Sequence, residues 1–131
     1  MRNTPKLGRN IGLNVKNKWV GEMTVTDNII TEKDWKLFRK MLPDWQERYM
    51  ENLINDYEAI LAGDADASDK FWKLEKRIRK DKKKSGVCVT DMSRSQMFAN
   101  IMVLLDEKVI TLEDLEGFSD SLRERLELLH R

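Results

Sequence analysis

Beyond residue 30, apolar residues recur every three or four positions through most of the chain, the spacing of helices with one buried face. Where these runs begin, the same local device appears. In Ile30-Thr31-Glu32-Lys33-Asp34-Trp35, Thr31 stands as an N-cap, Asp34 can reach back to the cap, and Ile30 and Trp35 form a hydrophobic staple. Met92-Ser93-Arg94-Ser95-Gln96-Met97 repeats it with Ser93 and Gln96, and Ile110-Thr111-Leu112-Glu113-Asp114-Leu115 with Thr111 and Asp114. Each cap contributes about 1 kcal/mol.

From these starts the pattern predicts five helices. The first presents Trp35, Phe38, Met41 and Leu42 to a core, and Pro43 ends or kinks it. The second carries Trp45, Tyr49, Leu53, Tyr57 and Ile60/Leu61 and stops at Gly63. The third, capped by Asp66 or Ser68, places Phe71, Leu74 and Ile78 on one face, and its last turn through Lys84 has nothing apolar to bury. The fourth buries Met97, Ile101, Leu104 and Leu105, with Phe98 and Met102 widening its apolar face. The fifth buries Leu115, Phe118, Leu122, Leu126 and Leu129 and pairs with the fourth as an antiparallel hairpin. Val87-Cys88-Val89 reads as a short strand. Residues 1–22 read as a basic arm or a hairpin around Lys16-Asn17-Lys18, with Met23 a plausible alternative start. The expected fold is therefore mostly α, a small bundle of four to five helices with or without a short N-terminal β-hairpin or edge strand. It comprises an arm at 1–22 and one helical domain at 23–131.

Charge changes this picture more than composition does. The 131 residues carry a net charge of only +1, but it is sorted along the chain. Residues 70–84 hold nine basic residues against Glu75 and Asp81, net +7. Residues 23–69 sum to −6, residues 85–131 to −4, and residues 1–22 to +4. Such local fields steer partners. The candidate binding residues are accordingly the basic arm (Lys73, Lys76, Arg77, Arg79, Lys80, Lys82, Lys83, Lys84) and the acidic faces (Asp44, Glu47, Glu51, Asp56, Glu58, Glu113, Asp114, Glu116, Asp120). No stretch approaches the apolar length of a membrane span. The single cysteine, Cys88, fits a reducing compartment, and cytoplasmic localisation is expected.

Catalytic and metal chemistry find little to stand on. Residues 64–75 have the oxygen spacing of a calcium loop in Asp64, Asp66, Ser68 and Glu75. Asp69, however, stands where the turn requires Gly, and acids gather equally well at a helix N-terminus. Cys88 and His130 are the only thiol and imidazole and lie far apart in the chain. The carboxylate pairs Glu113/Asp114 and Asp106/Glu107 are adjacent, so they diverge around a helix. The expectation is a non-enzymatic protein with no cofactor and no metal. Its partner would be a protein, including a nucleic-acid-binding effector. The alternative is a small regulator that contacts nucleic acid through the basic helix 70–84, with an exposed Trp19 or Trp72 stacking on single strands.

Three segments, FWKLEKRI (71–78), DMSRSQM (91–97) and ITLEDLEGFSD (110–120), resemble a group of small bacterial proteins associated with mobile elements of Gram-positive gut bacteria. The likeness runs from about Met23 to the end, and its motifs are caps and core positions. Some such proteins bear a transporter label, which the lack of a membrane span contradicts. The resemblance implies a mobile-element accessory protein and, by analogy, an inhibitor of a host defence nuclease complex of the anti-CRISPR kind.

Overall fold

The computed structural model describes residues 30–130; the expected N-terminal arm or hairpin lies outside them. Among these residues there are four α-helices and no strand: α1 (Glu32–Ala62), α2 (Ala67–Asp81), α3 (Met97–Asp106) and α4 (Asp120–His130). Short 3-10 turns stand at Arg94–Gln96 and Leu112–Leu115. The mostly helical small bundle anticipated from periodicity is the fold.

The two helices expected on either side of Pro43 are one. Pro43 sits inside α1 on its exposed side. The hydrogen bond it cannot donate is therefore lost where water can serve the freed carbonyl. Phe38 and Leu42 before it and Trp45 after it are buried in the same core, which holds the helix continuous. The start of α1 is as predicted. Thr31 Oγ1 accepts from Asp34 N–H at 2.9 Å, and Asp34 Oδ2 accepts from Thr31 N–H at 3.2 Å.

The core joins Trp35, Phe38, Leu42 and Trp45 of α1 to Met97, Ile101, Leu104 and Leu105 of α3, Val109 and Ile110 after it, Leu115 and Phe118, and Leu122 and Leu126 of α4. Four rings run through it. Trp35–Phe38, Phe38–Trp45 and Trp45–Phe118 are each 6.2 Å apart between centroids. Leu129, expected inside, is exposed.

The second and third helix starts differ from expectation. Ser93 precedes only the 3-10 turn and makes no cap bond, and its hydroxyl lies against that of Ser95 at 3.3 Å; α3 proper begins at Met97. Asp114 does return to Thr111 N–H at 2.8 Å, but the turn it closes is 3-10, and the helix starts afresh at Asp120. Ser119 sets that start: its carbonyl accepts from Arg123 N–H and its Oγ from Leu122 N–H. Ser119 also donates to Asp34, from N–H at 2.9 Å and from Oγ at 2.6 Å, joining the beginnings of α4 and α1. At the far ends, His130 Nε2 lies 3.3 Å from Asp106 Oδ1. The helices α3 and α4 thus run toward the same end, not as the antiparallel hairpin expected; residues 107–119 carry the chain back between them.

α3 ends in a Schellman turn. Lys108 N–H donates to Leu105 O and Val109 N–H to Leu104 O, with Lys108 at φ 62°. Buried Val109 packs where that motif places its apolar contact. Lys108 therefore occupies a left-handed position that Gly normally takes.

Candidate binding surface

The basic helix α2 is fastened to the distal half of α1 by one buried carboxylate. Asp81 is 5% exposed. Its Oδ2 accepts from Tyr57 Oη at 2.7 Å and from Arg77 Nε at 2.9 Å. Arg77 Nη2 reaches Asp56 Oδ2 at 2.9 Å, and its guanidinium stands over the Tyr57 ring, 5.7 Å from the centroid. A buried acid with two donors is satisfied where an unpaired one would be costly. Burial pushes the Tyr57 hydroxyl up to about 12, helped by its bond to Asp81. The hydrogen bond to Asp56 raises Arg77 above the usual guanidinium range.

The last turn of the basic stretch is consequently not a free projection. α2 stops at Asp81, Lys84 N–H returns to Asp81 O, and the chain turns into buried Ser85 and Gly86. Ser85 donates from N–H and Oγ to Glu107 Oε1, both at 2.8 Å, and its carbonyl accepts from Gln46 Nε2 at 3.0 Å. Gly86 presses so closely on Tyr49 that an added Cβ would lie 2.2 Å from the ring. Val87-Cys88-Val89 follows as irregular chain, not a strand. Cys88 is exposed there.

The predicted basic set divides into two. Arg77 is committed to Asp56 and Asp81, and Arg79 pairs with Glu75. Lys73, Lys76, Lys80, Lys82 and Lys83 are exposed, and Lys84 is half-buried. Among the described residues none of these lysines has an ion-pair partner. At about 100° per residue, Lys73, Lys76 and Lys80 share the flank of α2 roughly opposite Phe71 and Ile78. The apolar face predicted to bury Phe71, Leu74 and Ile78 does not do so: Phe71 and Ile78 are exposed and Leu74 half-buried. The side toward α1 is formed instead by Leu74, Arg77 and Asp81. Trp72, 63% exposed, stands edge-on to Phe71 between the two flanks.

The acidic set is also mixed. Asp56 holds Arg77, and Asp120 pairs with Arg123. Asp114 receives Arg48 Nη1 at 3.1 Å and Nη2 at 2.9 Å, and Arg48 adds a bond to Val109 O. Burial works to raise the Asp114 carboxyl, but Arg48 and Thr111 outweigh it and hold it below the usual range. Asp44, Glu47, Glu51, Glu58, Glu113 and Glu116 face solvent. The residues that fix the surface, Asp81, Tyr57, Gln46 and Glu107, were not among the predicted binding residues: Tyr57 was expected only in an apolar stripe and Glu107 only in a solvated carboxylate pair. Asp81 was visible only as an acid inside a basic run, one turn beyond Arg77.

The calcium-loop spacing does not form a loop. α2 begins at Ala67, so Ser68 and Asp69 already lie in the helix, and Glu75 is taken by Arg79. His130 faces Asp106.

No family model matches the chain, and no curated protein or solved structure matches it. No helix among the described residues is long and apolar enough to cross a membrane.

Proposed function

We propose that this chain is a non-enzymatic binding protein whose recognition surface is the lysine flank of α2, and that its partner is an acidic surface on another protein. The observation that carries this is the trio Lys73, Lys76 and Lys80, exposed and without ion-pair partners among the described residues, on a helix whose arginines are already occupied. Lysines left free on a helix held by Asp81 present a positive field that an acidic partner can meet. A mobile-element accessory protein that inhibits a host defence complex, in the cytoplasm and without a cofactor, is the biological role proposed for such contact.

A second reading has its own support. Trp72 is exposed beside Lys73 and Lys76, an arrangement suited to stacking on a single-stranded base while lysines neutralise phosphates.

The experiment is fluorescence anisotropy of labelled single-stranded DNA, duplex DNA and RNA, at low and physiological salt, with Trp emission recorded. Protein recognition is supported by no nucleic-acid binding, together with capture from host lysate of one partner that a Lys73→Glu/Lys76→Glu/Lys80→Glu variant fails to capture. Salt-dependent binding that quenches Trp72, and is lost in Trp72→Ala, overturns it in favour of the second reading. Arg77 is unsuitable for charge reversal, because its loss would loosen α2 from α1.

A further inference from the structure

The hairpin of α1 and α2 carries an apolar face that no described residue covers. On α1, Glu47, Glu51, Ile54, Glu58 and Leu61 recur at alternating spacings of four and three, so they share one side. On α2, Phe71, Glu75 and Ile78 do the same, continued by Lys82 at its C-cap, with Arg79 beside them. The contacts Tyr57–Asp81 and Asp56–Arg77 fix which sides of the helices touch and show that they run antiparallel. In an antiparallel pair of right-handed helices, the same sense of rotation from that contact, seen from each N-terminus, leads to the same side of the pair. In α1 it leads to Ile54 and Leu61, and in α2 to Phe71 and Ile78. Their exposures are 52%, 49%, 61% and 38%. Shallow depressions of about 370 Å³ around Met50 and Ile54 and about 310 Å³ around Phe71 and Ile78 lie along this face.

We propose that this face binds a second copy of the chain. The two hairpins pack face to face as an antiparallel four-helix bundle, with the two-fold axis parallel to the helices. Charge selects this arrangement. The outer edge of the face is acidic on α1, with Glu47, Glu51 and Glu58 all exposed, whereas on α2 Glu75 and Arg79 pair with each other and Lys82, at the C-cap, supplies the positive charge left over. A two-fold parallel to the helices lays α1 over α2 of the second copy, so acid meets base along both edges. A two-fold across the helices would lay α1 over α1 and oppose like charges. Residues level within one hairpin stay level across the pair, which sets Ile54 near Ile78, Leu61 near Phe71 and Glu51 near Lys82 of the other copy. The face spans about 18 Å along each helix and two helices set about 8–10 Å apart. It is therefore at the small end of specific interfaces, with a dissociation constant on the order of micromolar. The lysine flank points away from it, so the dimer and the proposed lysine recognition stand or fall separately.

Sedimentation velocity of the full chain over about 1–500 µM brackets that range. The expected result is a reversible monomer–dimer equilibrium. Phe71→Glu and Ile78→Glu, both at exposed positions, should be monomeric with unchanged helical circular dichroism. Glu51→Lys and Lys82→Glu should each weaken the dimer about tenfold, and an equimolar mixture of the two should recover it as a heterodimer. A wild-type monomer throughout overturns the proposal, as does a dimer indifferent to Ile78→Glu or a charge-reversed mixture that stays monomeric. A face built for an acidic peptide or a lipid surface would give the first of these.

Discussion

Asp34 is 2% exposed and accepts from both Thr31 and Ser119, residues at the starts of two helices. Burial acts to raise its pKa, but the Ser119 and Thr31 hydrogen bonds outweigh it and hold the carboxyl below its usual value of 3.8. A depressed folded-state pKa means stability fully present above the unfolded value and lost as pH falls through the folded one. Acid unfolding should therefore begin below about pH 4, since Asp34 and Asp114 share this direction. Asp34→Ala strands the Thr31 and Ser119 donors and should cost about 2–3 kcal/mol by urea denaturation, and it should flatten the acid limb of the stability profile. Gly86 owes its place to space alone, because its φ is not positive. Gly86→Ala would drive a methyl into the Tyr49 ring and should cost about 1–3 kcal/mol, readable as a lower denaturation midpoint.

For whole elements, Pro43 separates what local sequence can say from what packing decides. A proline in mid-pattern predicts a break, yet buried side chains on both sides override it. If the helix is held by packing and merely tolerates the proline, Pro43→Ala should raise stability by about 1–3 kcal/mol, measured as a higher Tm. Loss of stability would show that a Pro-induced bend is needed for the core. The same contrast explains which elements were legible. The Thr31 cap, the core positions of α3 and the Leu122/Leu126 pair follow from spacing and came out as read. Where α4 starts did not, because Ser119 gains its role from Asp34, 85 positions away in the chain. The orientation of α2 was misread for a related reason. Periodicity ranks Phe71, Leu74 and Ile78 as the face to bury, whereas Tyr57 and Asp56 draw in Arg77 and Asp81 instead. The lysines of the candidate surface were evident from composition, but their freedom and the commitment of the arginines are matters of tertiary pairing.

Across the whole molecule, α1 belongs to two bodies. Its first half lies in the aromatic core with α3 and α4, and its second half meets α2 through a small polar lock, with Leu53, 7% exposed, the only buried apolar side chain there among the described residues. Little apolar surface is therefore at stake in detaching α2 and fraying the end of α1. Native-state hydrogen exchange should register this as two cooperative units: amides of α3 and of α1 around Phe38–Trp45 exchanging only through global unfolding, and amides of α2 and of α1 beyond Leu53 through a cheaper partial opening. Uniform protection along all 31 residues of α1 would refute the division. If it holds, the lysine-bearing helix can adjust its posture toward a partner while the rest of the protein stays folded.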